Sequence, residues 1–173
     1  MSGKPAPGRR VELWMLVDRE PGYENFEIGD RITPTTEWIT ADAIAGGVPD
    51  SLITTVAGEV ELDPASEKYG WMHLGRQFSA SLRTWPADPG PTMAEGLLLY
   101  DRYLWIDGPS RAGEAVVLER ANLACPVTLR STRYENVFAP EYHGRNIVNR
   151  ESTAPEGTSI EWLCIRIGID PLD

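Results

Sequence analysis

The feature that most constrains this chain is that its apolar residues come in short runs of strand length, each closed by Gly, Pro, Asp or Asn. The first, residues 11–18 (VELWMLVD), is followed by residues 51–62 (SLITTVAGEVEL), which are rich in β-branched side chains and stop at Asp63-Pro64. Such side chains fit the pleated surface of a sheet, and proline ends a ladder because it has no amide hydrogen to donate. Residues 77–85 alternate, with Phe78, Ala80 and Leu82 on one side and Gln77, Ser79, Ser81 and Arg83 on the other. That period predicts a strand with one face on core and one in water. Residues 96–106 (GLLLYDRYLWI) are apolar on both faces, as in a central strand or one crossing between layers, and Asp107-Gly108-Pro109 turns the chain afterwards. Residues 124–134 and 159–169 complete the set. In the last run Leu163, Ile165, Ile167 and Ile169 share one face, while Trp162, Cys164 and Arg166 share the other.

Helix signals are few. Residues 36–45 are the best candidate, with Thr35 or Thr36 available as a cap and Gly46-Gly47 as a stop; residues 112–121 fit either helix or strand. Residues 69–75 (YGWMHLG) carry an aromatic, a Met and a His between glycines and read as a loop, either a lid over a cavity, a recognition loop or loop core. Six or more short strands with one or two short helices predict an all-β (mainly β) fold, a β-barrel or β-sandwich, and an OB-like barrel is one such arrangement. Residues 1–10 are dominated by Gly, Pro and Ser and predict a flexible N-terminal tail, with residues 11–173 as a single domain.

Charge narrows the partners. The 173 residues carry a formal charge of −10, and residues 1–67 hold 13 acids against 5 basic residues. Nucleic-acid affinity depends on Lys and Arg neutralising phosphates, so direct nucleic-acid binding is disfavoured. The acidic stretch fits a solubilising surface, a face for a basic partner, or an acidic inhibitor that mimics nucleic acid; the last requires its carboxylates to gather on one face. No run reaches the roughly 20 apolar residues of a membrane helix, and residues 1–18 contain no secretory apolar stretch, so no membrane partner and a cytoplasmic location are expected. Cys125 and Cys164 are too few for a disulfide framework or a four-thiolate zinc site and are expected to be free thiols.

The chemistry-bearing signatures with legible spacing are missing: there is no phosphate-binding glycine loop, no G-x-S-x-G, no H-E-x-x-H and no C-x-x-C. Neither a cofactor nor a metal is expected, since the two histidines, His73 and His143, lack ligand spacing. A Cys125–His143 nucleophile pair would need contact and an electropositive setting. The most pointed segment is residues 100–105 (YDRYLW), where Asp101 and Arg102 interrupt an apolar strand. Buried among Leu99, Tyr103 and Trp105, Asp101 would need a partner or a raised pKa, which is the profile of a general acid or a ligand anchor; the alternative is a structural ion pair or a strand end. Arg166 intrudes similarly beside Trp162 and Cys164, to hold a carboxylate ligand or an internal acid.

Six tryptophans supply flat apolar walls for a cavity, or ordinary core packing. The leading expectation is a non-enzymatic binding or interaction protein holding a small apolar molecule or a protein partner, with Trp105, Tyr100, Arg166, Trp162 and Trp71 as ligand residues. A homodimer is compatible with it. The rival is a cofactor-independent enzyme, an isomerase, cyclase or hydrolase acting in a barrel cavity, with Asp101, Tyr103, His73 and His143 as acid–base groups.

Overall fold

A computed structural model describes residues 9–19, 25–65, 69–83, 88–101 and 113–172. These form β1 (Val11–Asp18), β2 (Arg31–Ile32), β3 (Thr36–Ile39), β4 (Thr54–Leu62), β5 (Tyr69–Gly75), β6 (Phe78–Arg83), β7 (Gly90–Tyr100), β8 (Ala115–Ser131), β9 (Phe138–Tyr142), β10 (Ile147–Asn149) and β11 (Thr158–Ile169). A single 3₁₀ turn at Asp50–Leu52 is the helical element among the described residues. Most of the expected tail, and the part of the two-sided run that holds Arg102, Tyr103 and Trp105, lie outside the described residues.

Five strands close a barrel. β4, β5 and β6 form an antiparallel meander, β6 lies parallel to β3 through Glu37 and Ser81, and β3 runs antiparallel to β7. β7 then pairs with β4 from Thr54 opposite Gly96 to Val60 opposite Gly90, which completes the ring. The all-β barrel expected from the strand runs is present, with the strand count of an OB-like barrel. Alternation fills it: Trp38, Val60, Met72, Leu82 and Ala94 point inward around a void of only about 10 Å³, which is room for about one water. Among the described residues the barrel interior is therefore a packed core.

A second sheet grows from β7. β1 touches it in parallel at Leu98 and Leu99, and pairs antiparallel with β11 from Val11 opposite Ile169 to Asp18 opposite Trp162. β11 in turn pairs with β8, which also carries β2, β10 and β9. Strands at this junction are buried on both faces, as the two-sided run of residues 96–106 predicts for residues 97–100. Leu13, Met15 and Val17 of β1, Leu98 and Tyr100 of β7, and Ile165, Ile167 and Ile169 of β11 join the barrel-side core. Trp14, Leu16, Leu97 and Cys164 face the other way, into a second core with Ile39, Val48, Leu52 and Leu123. The two faces of β11 separate as its sequence period requires.

Two expectations are corrected. Residues 36–45 are not a helix: Thr36–Ile39 are β3, with Thr36 and Trp38 buried toward the barrel and Ile39 in the second core, and turns follow. Only an extended segment can satisfy the backbone groups that β6 and β7 present to the gap, and a helix there would leave the barrel open. Residues 69–75 are strand β5 and not a loop, with Met72 and Leu74 inside the barrel. The ambiguous residues 112–121 are strand from Ala115 onward.

Gly96 marks where β7 changes partner from β4 to β3. A Cβ there would fall 2.3 Å from the Ile39 carbonyl oxygen and 3.0 Å from the Trp38 ring. Gly96→Ala is expected to cost at least about 1–3 kcal/mol, read as a lower urea midpoint with an unchanged slope.

Candidate functional site

The cleft with the chemistry of a binding site lies outside the barrel, on the rim of the second core. It measures about 360 Å³ and is lined by Ala43, Ile44, Ala45, Leu99, Cys125, Tyr142, Asn146, Glu161 and Trp162. That volume lies within the range of small-molecule sites. Five regions of the chain converge on it: the turn after β3, the end of β7, the β8–β9 pair, the β9–β10 connection, and β11.

A β-bulge in β11 determines its character. Ile160 pairs with Ala124 and Trp162 with Leu123, so Glu161 is an extra residue in the ladder. Neighbours on a regular strand point to opposite faces, but a bulge re-aims one of them. Glu161 and Trp162 consequently line the same cleft. The Tyr142 phenol and the Glu161 carboxylate both line it. Burial raises the pKa of the Cys125 thiol, and the charge of Glu161 adds to the effect. Burial likewise raises that of Tyr142, helped by the hydrogen bond to Glu161 and the charges of Glu161 and Cys125. Both groups stay protonated at neutral pH, and Glu161 is the one carboxylate among the lining residues. The walls are apolar, with a single acceptor.

Asn146 sets the near wall. Its buried Nδ2 donates to the carbonyls of Ala45 at 2.9 Å and Gly47 at 2.8 Å, and its backbone N–H donates to Gly46 O at 3.0 Å. Gly46 has φ +79°, in the left-handed region, and any Cβ there would press on the Asn146 side chain. The turn carrying Ile44 is thereby clamped to the β9–β10 connection.

Among the described residues singled out in the sequence, Trp162 and Cys125 line this cleft. Tyr100 is buried in the barrel-side core, edge-on to Phe26 with ring centroids 5.5 Å apart. Arg166 is held by Glu12 at 2.9 Å and Glu119 at 3.0 Å, the internal-acid alternative. Asp101 sits just beyond β7 with its side chain 27 % exposed; its oxygen is 3.8 Å from Arg83, which also lies 4.0 Å from Glu37. Its backbone is tied to Thr35 by two hydrogen bonds, so it stands at a strand end with an arginine beside it. Trp105 and Tyr103 lie outside the described residues.

The two histidines are far from each other in role. His143 follows β9 and is hydrogen-bonded to Thr128. His73 lies between Glu61 Oε2, 2.6 Å from its Nε2, and Ser79 Oγ, 2.7 Å from its Nδ1. This acid–imidazole–hydroxyl chain links β4, β5 and β6 beside buried Trp71, opposite Glu61 and Ser81 in the ladders. Ser79 is itself buried. Among the described residues no three His, Cys, Asp or Glu side chains gather as a metal site, and no helix is long and apolar enough to cross a membrane. Both cysteines are free and buried, and burial pushes the Cys164 thiol up to about 12. Carboxylates of the acidic stretch are divided among partners on different strands: Glu12 with Arg166, Glu27 with Arg120 and Glu61 with His73.

The molecule is thus an all-β barrel protein with an appended sheet and an apolar cleft on the outer side. The chain matches no protein-family model, no curated protein and no solved structure.

Two outcomes follow from these contacts. Asn146→Ala leaves two carbonyls without their donor and is expected to cost about 1–2 kcal/mol, with faster amide exchange confined to residues 43–48. Burial, outweighing the Arg83 charge, raises the pKa of Glu37, with Asp101 adding to the rise. The folded state therefore disfavours ionised Glu37, a penalty present at neutral pH and lost as pH falls through its raised pKa. Glu37→Gln should raise the melting temperature at pH 7, and the gain should shrink on acidification; a gain that grows toward low pH would contradict this assignment.

Proposed function

We propose that the protein is a non-enzymatic binding protein that holds a small, mostly apolar molecule in the cleft walled by Trp162, Leu99 and Ile44. The observation that carries this reading is the bulge at Glu161, which sets one carboxylate acceptor beside an indole wall in an otherwise neutral cleft. Strand bulges re-aim side chains at such positions, and apolar sites commonly use a few polar groups to orient what they hold. A ring system or branched chain bearing a hydroxyl or N–H donor matches that lining. The same lining argues against covalent chemistry, because Cys125 and Tyr142 are held in their protonated, unreactive forms. Free buried thiols accord with a reducing, cytoplasmic setting.

A cofactor-independent hydrolase is the second reading, favoured by the Glu61–His73–Ser79 chain at 2.6 and 2.7 Å. It requires a route to the Ser79 hydroxyl, which is buried on the outer face of β6. Binding in the outer cleft makes no such demand.

Native mass spectrometry of gently purified protein, compared with the denatured sample, tests retention of a ligand without assuming its identity. A titration with N-phenyl-1-naphthylamine, an uncharged aromatic probe with one N–H, tests the cleft directly. Saturable fluorescence enhancement is expected, with the dissociation constant raised at least about tenfold by Trp162→Ala or Ile44→Asp and unchanged by Met93→Ala on the barrel. A bare native mass together with no saturable enhancement would overturn the reading.

A further inference from the structure

The cleft on the rim of the second core is one-sided in charge. Among its described lining residues there is one carboxylate, Glu161, and no Lys, Arg or His. Elsewhere around the same sheet carboxylates are matched with arginines: Glu12 and Glu119 with Arg166, and Glu27 with Arg120. Among the described residues no arginine lies within ion-pair distance of Glu161, which is half-buried. Donors for an anion are scarce as well, because Asn146 spends both hydrogens of its amide on the carbonyls of Ala45 and Gly47. Burial raises the pKa of both Cys125 and Tyr142, and the negative field of Glu161 adds to each rise. An anionic ligand group would meet that same field, whereas a cation would be drawn by it, and more strongly in a half-buried setting than in bulk water. Trp162 and Tyr142 bring two aromatic rings to the lining, and the faces of such rings attract cations in their own right.

We propose that the occupant of this cleft is a protonated monoamine, its ammonium on the Glu161 carboxylate beside Trp162 and Tyr142 and its apolar body along Leu99 and Ile44. Granted the binding reading on which this rests, the occupant is narrowed from a donor-bearing molecule to a cationic one. One carboxylate balances one positive charge, so a single amine is selected over a polyamine, whose second ammonium would enter apolar walls without a counter-charge. The formal charge of −10 draws cations toward the molecule as a whole. The bulge that re-aims Glu161 decides where one of them is held.

Displacement of N-phenyl-1-naphthylamine from the full chain, at neutral pH, by three ligands sharing one ring system tests the proposal: 1-naphthylmethylamine, 1-naphthalenemethanol and 1-naphthoic acid. The amine should bind at least about tenfold more tightly than the alcohol, and the acid more weakly than either. Glu161→Gln, which keeps the size of the side chain, should remove the advantage of the amine and leave the alcohol unaffected. Glu95→Gln deletes the same charge from an exposed position on the barrel strand β7 and should leave that advantage intact, which separates the cleft from the field of the whole molecule. Circular dichroism of both variants confirms that the fold is retained, and the order of the three ligands on the wild-type chain is a test that needs no variant. Equal binding of amine and alcohol, preference for the acid, or an advantage of the amine that survives Glu161→Gln or disappears in Glu95→Gln would each overturn the amine assignment while leaving the cleft a binding site. Absence of saturable binding by the probe and all three ligands would overturn both.

Discussion

The structure depends on strands that are buried on both faces. β7 contributes Leu98 and Tyr100 to the barrel-side core and Leu97 to the second, and β1 divides Leu13, Met15 and Val17 from Trp14 and Leu16 in the same manner. A barrel of five strands encloses too little volume to anchor eleven, and the appended sheet has no core of its own unless a shared strand supplies one face to each. Because Leu98 and Leu99 of β7 pair with β1 while the same residues pair with β3, neither layer can be removed without stripping hydrogen-bond partners from the other. The molecule is cohesive for that reason.

This sharing also decides where open space remains. Packing the barrel with Trp38, Met72 and Leu82 uses up its interior, and the room that remains lies where the second core thins out at its rim. Leu99, half-buried on β7, forms a wall of the cleft on the face opposite the barrel. The cleft is therefore built against one of the most firmly held strands, while its other walls come from a clamped turn, the β9–β10 connection, the β8–β9 pair and β11.

Much of the fold was legible in the sequence because period survives translation into structure. Residues 11–18 are β1 over their whole length, Phe78, Ala80 and Leu82 face the core, and β11 splits its side chains as the alternation requires. The misreadings have local causes. Thr35, Thr36 and Gly46-Gly47 resemble helix caps, yet the glycines serve a turn pressed against Asn146. Gly70 and Gly75 suggest a loop, but Gly70 is there because β4 passes so close that a Cβ would lie 2.6 Å from the Glu61 carbonyl oxygen. The cleft was legible only at Trp162 and Cys125. Glu161 follows from a bulge, which breaks the two-residue period on which the reading relied, and Tyr142 and Ile44 meet it only through tertiary pairing. Asp101 and Arg166 attracted notice as charges in apolar strands and proved to lie beside counter-charges.

The pairing of β1 with β11 joins residues more than 140 positions apart. During synthesis the barrel strands of residues 36–100 emerge while β1 still lacks its antiparallel neighbour, so Trp14 and Leu16 must wait in the open, or lean on β7 alone. Topology of this kind places the slowest contact last, because the loop to be closed is nearly the whole chain and its entropy must be overcome before any reward returns. The long closure from β1 to β11 therefore puts the outer sheet, with the cleft on its rim, among the contacts that cost the most chain entropy to form.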